Sequence, residues 1–124
     1  MKIIIISLLL IIIDSVYLSL LGGPLFKNMI KNIQNDELNL NFHAASFTYI
    51  LLVYLLYKFI ISQNKTPLNA FILGFCVYGV FDFTNLTIFN NYKLIIALTD
   101  MLWGGILFYL VTFISYKIFK IFNM

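Results

Sequence analysis

The chain has 124 residues, 62% of them hydrophobic and 10% charged, with a mean hydropathy of +0.98. This composition excludes a soluble domain, which needs more polar side chains to cover its core. The net charge of +3 comes from lysines that lie mostly at the ends of apolar runs, which excludes the clustered basic surface of a nucleic-acid-binding protein. Cys76 is the only cysteine, so an intrachain disulfide and a cysteine-based metal site are also excluded.

The first apolar run covers residues 3–23 and contains one charged residue, Asp14. About 20 residues at 1.5 Å each cross a hydrocarbon core of roughly 30 Å. A cleaved signal peptide is the competing interpretation, because Lys2 precedes the run and small residues end it. The length of the run, the internal aspartate and the absence of an A-x-A site favour a retained transmembrane helix.

Residues 24–43 form the one extended polar segment. Its apolar residues at 25/26, 29/30 and 33 follow helical spacing, which predicts a short amphipathic helix at the membrane surface. A solvated loop is the alternative that the same residues allow.

Three further apolar runs predict spans over residues 44–61, 67–89 and 93–116. Pro67 suits the first turn of the third helix. No alternating strand pattern competes with these helices. The sequence therefore predicts an all-α fold, an integral membrane bundle of four transmembrane helices in a single domain of 124 residues.

Lysine positions predict the orientation, because cytoplasmic ends of membrane spans carry more lysine and arginine. Four spans bring both termini and the connector at 62–67 to one side. Five lysines lie on that side and three on the other, so both termini are predicted to be cytoplasmic. The five are Lys2, Lys58, Lys65, Lys117 and Lys120, and the three are Lys27, Lys31 and Lys93.

Three helices carry an aspartate at a similar predicted depth. Counting residues places Asp82, Asp100 and Asp14 about 9, 10 and 12 Å from the outer ends of their helices. Thr48 and Tyr49 on the second helix reach a similar depth. Carboxylates within membrane spans are costly and usually functional, so this level predicts a site.

Helical spacing supplies the neighbours of these aspartates. Residues three or four positions apart share a helix face, and several glycines nearby allow close helix packing. We expect a small, polar, tightly walled pocket that opens to the non-cytoplasmic side. Its predicted binding residues are Asp14, Tyr17, Tyr78, Asp82, Asn85, Asp100 and Trp103.

No lysine, arginine or histidine lies at this depth to neutralise the carboxylates. Three aspartates in a low dielectric cannot all stay ionised, so we expect one or more to carry a proton, or a bound cation to supply the missing charge. The absence of histidine beside the carboxylates disfavours a metal site, and no cofactor is predicted.

Two motifs resemble the signature of the domain-of-unknown-function 2177 family, small predicted integral membrane proteins found mostly in bacteria. The motifs are YGVFDFTNL at residues 78–86 and DMLWG at residues 100–104. The first helix is similar as well, with DSVYL at 14–18 where the family often has D-x-x-W-L. Phe81, Thr87 and Tyr17 depart from the family's usual tyrosine, alanine and tryptophan, and the turn between the motifs lacks a tryptophan. The resemblance implies a four-helix membrane fold and brings no established activity.

Three functions compete. The first is a membrane protein, expected to be a homodimer, that binds or transports a proton, a cation or a small cationic solute. The second is a structural or assembly protein whose polar cluster only fixes the helix bundle. The third is an intramembrane enzyme that acts on lipid with two aspartates as acid and base, and it ranks last because no Ser/His/Asp set or H-E-x-x-H motif is present.

Overall fold

The computed structural model describes residues 1–124 and contains helices and no strands. Four helices are long and apolar enough to cross a membrane, and they are α1 (Lys2–Gln34), α2 (Phe42–Ile61), α3 (Pro67–Ile88) and α4 (Leu94–Ile121). The predicted all-α fold with four membrane-length helices is therefore confirmed.

Helix α1 continues well past the end of the predicted first span. A single π-helical turn over Leu18–Gly22 joins the α-helix Lys2–Tyr17 to a second α-helical segment, Gly23–Gln34, which we call the amphipathic arm. The Gly23 N–H donates to the Leu18 carbonyl, so the wider turn forms where Pro24 has no N–H to donate. Of the two interpretations of residues 24–43, the structure thus has a helix as far as Gln34.

Short polar caps start α2 and α3. The Asn41 side chain accepts a hydrogen bond of 3.1 Å from the Ala44 N–H, and the Thr66 hydroxyl accepts one of 3.2 Å from the Asn69 N–H. Pro67 occupies the first turn of α3, as its lack of an N–H predicts. These caps begin each helix directly after a short connector.

Helices α3 and α4 form the most extensive helix pair in the molecule. Glycines make this close approach possible: a Cβ atom on Gly74 would meet the Gly104 carbonyl oxygen, and one on Gly104 would meet the Tyr78 ring. Small residues at a helix crossing let backbones approach and gain van der Waals contact, which drives helix association in lipid.

The two ends of the bundle differ in what closes them. One end holds both chain termini, and we call it the terminal end. There the Tyr116 hydroxyl donates to the Lys65 carbonyl at 2.6 Å, and Lys2 Nζ lies 5.2 Å from the centre of the Phe119 ring. At the arm end, the amphipathic arm covers the turn between α3 and α4, where Met29 packs in a cluster with Tyr92. Successive helices therefore run in opposite directions.

The main apolar core lies between all four helices, with its fully buried members towards the terminal end. These members are Ile6, Leu10, Leu56, Ala70, Leu107, Phe108 and Val111. Most other large apolar side chains are exposed on the outside of the bundle, as membrane-facing surfaces require.

Candidate functional site

All three membrane-depth aspartates are buried between helices near the arm end. Asp14 is 7% exposed, Asp82 0% and Asp100 8%. A carboxyl group in such surroundings needs hydrogen-bond donors, a proton or a cation. The three residues meet this need in different ways.

Asp14 is satisfied by two aromatic donors from two other helices. The Tyr49 hydroxyl of α2 donates to Oδ2 at 2.5 Å, and the Trp103 indole N–H of α4 donates to Oδ1 at 2.9 Å. The Trp103 ring also stacks on Tyr17, with ring centres 4.4 Å apart and planes at 17°. Asp14 therefore joins α1 to both α2 and α4.

Asp82 receives its hydrogen bond from the turn that follows its own helix. The Tyr92 hydroxyl donates to Oδ1 at 2.6 Å, and the Asn85 side chain lies next to that hydroxyl. Tyr92 is itself buried at the arm end, with Phe26 of the amphipathic arm in edge contact at 6.3 Å. Burial and the bond to Asp82 raise the pKa of the Tyr92 phenol, so it stays a donor at neutral pH.

Asp82 also lies beside the carboxyl group of Asp100. Oδ2 is buried and receives no hydrogen bond from any N–H or hydroxyl group, while the Asp100 carboxyl lies within hydrogen-bonding reach of Asp82. Two neighbouring ionised carboxylates would repel each other, whereas one proton between them would satisfy both. We call these two neighbouring carboxyl groups the Asp82–Asp100 pair.

A cavity of about 320 Å³ adjoins this pair, and all four helices contribute to its wall. Asp14 and Asp100 are its charged residues, and Tyr17 and Tyr78 are among its aromatic ones. The Tyr17 hydroxyl is buried and has no hydrogen-bond partner. The remaining wall residues are Leu18, Phe26, Thr48, Leu52, Val77 and Phe81.

The predicted site residues thus fall into two groups. Asp14, Tyr17, Tyr78 and Asp100 line the cavity, and Trp103 supports it through Asp14 and Tyr17. Asp82 and Asn85 lie beside Tyr92, outside the cavity wall. Of the seven predicted side chains, Tyr17, Tyr78 and Asn85 make no hydrogen bond to a carboxyl group.

Two expectations about the shape of the site need correction. The cavity wall is mostly apolar rather than polar, since seven of its ten residues are hydrophobic. The pocket also does not include all three aspartates, because Asp82 is not one of its wall residues.

Sequence reasoning missed the importance of two tyrosines. The depth of Tyr49 matched that of the aspartates, and this was the available signal for its bond to Asp14. Tyr92 lies in a polar turn beside Asn91 and Lys93, so the sequence indicates a surface residue. Its burial depends on the amphipathic arm, whose path over the turn no local pattern encodes.

Four apolar membrane-length helices with buried carboxyl groups define an integral, multi-pass membrane protein. The chain belongs to the family described as "Predicted membrane protein (DUF2177)", whose model matches residues 1–117. This confirms the resemblance seen in the two motifs. No curated protein and no solved structure matches the chain.

Proposed function

We propose that this membrane protein binds or transports a proton or a small cation, with Asp14, Asp82 and Asp100 as the charge-handling groups. The observation that carries the proposal is the Asp82–Asp100 pair, two buried carboxyl groups within reach of each other. A proton or another cation is the species that such a pair requires. Buried carboxyl pairs in membrane helices are typical of ion and proton pathways.

The other site residues support this role. Tyr92 donates to one oxygen of Asp82, and the other oxygen, which has no donor, is free to take part in a shared proton. Tyr17 and Tyr78 form walls of the adjoining cavity, and Trp103 keeps Asp14 in place. Because four helices are few for a transporter, we expect a homodimer. We also expect both termini in the cytoplasm, as the lysine positions predict.

A structural role is the second candidate, and Asp14 favours it. Its bonds to Tyr49 and Trp103 connect three helices, which is how a polar residue stabilises a membrane bundle. In this alternative the carboxyl groups only bind the helices together, and no proton or solute exchanges with the medium.

Infrared spectroscopy of the protein in lipid nanodiscs tests the proposal. An ordinary aspartate is ionised at pH 7, since its carboxyl group loses its proton near pH 4. We expect the native protein to have a carboxylic-acid C=O band at pH 7 that responds to pH. Asp82→Asn and Asp100→Asn should each remove it, because an amide N–H can replace the shared proton.

Asp36→Asn is the matched control, because Asp36 lies exposed after the amphipathic arm and should not contribute to the band. A protein with no acid band at pH 7 would contradict the proposal. So would a band that never changes with pH while both pair variants fold normally, since that result supports the structural role.

A further inference from the structure

The cavity beside the Asp82–Asp100 pair is larger than a proton site needs. A proton shared between two carboxyl oxygens occupies no space of its own, yet about 320 Å³ lies open between the four helices. That volume is at the lower end of the range for small-molecule sites. The cavity therefore suits an organic ligand.

The charged residues of the wall determine the sign of the ligand's charge. Asp14 and Asp100 are the charged residues of the cavity, and no lysine or histidine lines it. Tyr17, a residue 8% exposed, lines the same wall and adds an aromatic ring rather than a charge. These groups favour a positively charged ligand.

The wall does not suit an inorganic cation. Hard cations such as Ca²⁺ take six to eight oxygen ligands, and Mg²⁺ takes about six. Both oxygens of Asp14 already accept hydrogen bonds from Tyr49 and Trp103, and seven of the ten wall residues are hydrophobic. Aromatic rings, by contrast, attract organic ammonium groups through their π faces.

We infer that this cavity binds a small organic cation with an apolar body, its charge near Asp14 and Asp100 and its body against the aromatic wall. The inference rests on the proposed function of the same site and names its ligand class. Three wall residues, Leu18, Thr48 and Phe81, are exposed on the membrane-facing surface. An apolar cation therefore reaches the cavity sideways from the bilayer.

Asp100 connects the cation to the proton, because it lines the cavity and also faces Asp82. A cation beside Asp100 favours its ionised form, so the shared proton leaves as the cation binds and the site's charge is unchanged. The titratable groups around Asp100 that set this exchange are Asp14 and Tyr17 from α1, Asp82 and Tyr78 from α3, and Tyr92 from the turn. From α2, Tyr49 acts on this group through its hydrogen bond to Asp14.

Calorimetric titration with benzyltrimethylammonium tests the inference, because this probe has a permanent charge and no proton of its own. The protein would be held in phosphatidylcholine nanodiscs, and two buffers of different ionisation enthalpy would report the protons released. We expect saturable binding with about one proton released per cation. The uncharged carbon analogue neopentylbenzene should bind at least about tenfold more weakly.

Substitutions identify the site. Asp100→Asn and Asp14→Asn should weaken probe binding by about tenfold or more, and Asp36→Asn should leave it unchanged. If the aspartate variants do not fold, Thr48→Phe provides a second route, because it narrows the cavity and keeps every carboxyl group. It should weaken binding while the infrared acid band persists.

The possible failures are distinguishable. Absent or unsaturable binding, or binding that equal concentrations of Na⁺ or K⁺ abolish, overturns the organic-cation site, and an intact acid band then leaves the proton pair standing. Saturable binding without any acid band or proton release overturns the proton pair and leaves the cation site standing.

Discussion

The arm end and the terminal end of this bundle bury different polar groups, carboxyl groups at the first and small hydroxyls at the second. At the arm end, aromatic donors Tyr49, Trp103 and Tyr92 reach the carboxyl groups of Asp14 and Asp82 across helices or from the turn. At the terminal end, the fully buried hydroxyls of Thr112 and Ser115 have no partner at all.

The two ends also differ in what holds them together. The terminal end is held by apolar packing around residues such as Ile6 and Phe108, which tolerates two small unsatisfied hydroxyls. The arm end carries costly carboxyl groups and encloses a cavity beside them. The main apolar core thus lies at one end, and the buried carboxyl groups and the cavity lie at the other.

The largest expected effect comes from the helix crossing that joins the two ends. Gly104→Val places a side chain against the Tyr78 ring, so it should destabilise the protein by about 3 kcal/mol or prevent folding. Ile106→Val, on the exposed face of the same helix, is the control and should change little. Unfolding by denaturing detergent measures both, and equal stabilities would show that the close crossing is unnecessary.

Removing an aromatic donor at the arm end should have the next largest effect. Tyr92→Phe leaves a buried oxygen of Asp82 without its donor, and Tyr49→Phe does the same for Asp14. Each should lower the free energy of unfolding by about 1–2 kcal/mol, towards the upper range for hydrogen bonds in membranes.

Tyr54→Phe is the matched control for these donors, because the Tyr54 side chain is exposed on α2. If it destabilises the protein as much as Tyr92→Phe does, the loss reflects the tyrosine side chain in general rather than the bond to the carboxyl group. The same unfolding assay applies to all three variants.

The smallest expected effect is an increase in stability, and it comes from two residues at the terminal end. Thr112→Val and Ser115→Ala remove buried hydroxyls that have no partner, so each should stabilise the protein by about 0.5–1 kcal/mol. Thr99→Val provides the contrast, since the Thr99 hydroxyl donates to the Ile95 carbonyl at 2.7 Å. Destabilisation by both terminal-end variants would mean that their hydroxyls have partners after all.

Much of the fold was predictable from local sequence. Long apolar runs interrupted by short polar turns predict four membrane helices, because hydrocarbon length and the need to satisfy backbone groups leave few alternatives. Counting residues along those helices also predicted that Asp14, Asp82 and Asp100 would be buried at a common level, and all three are buried.

The pairing of those aspartates was decided by the tertiary structure. Asp82 faces Asp100 because glycines bring α3 and α4 together, and Asp14 instead meets Tyr49 and Trp103. Tyr92 is buried because the amphipathic arm folds over its turn after a π-helical turn at Leu18–Gly22. Hydropathy and spacing fix the depth of a side chain in a membrane, whereas its partner depends on how each helix is rotated and crossed, which only the packing of distant segments determines.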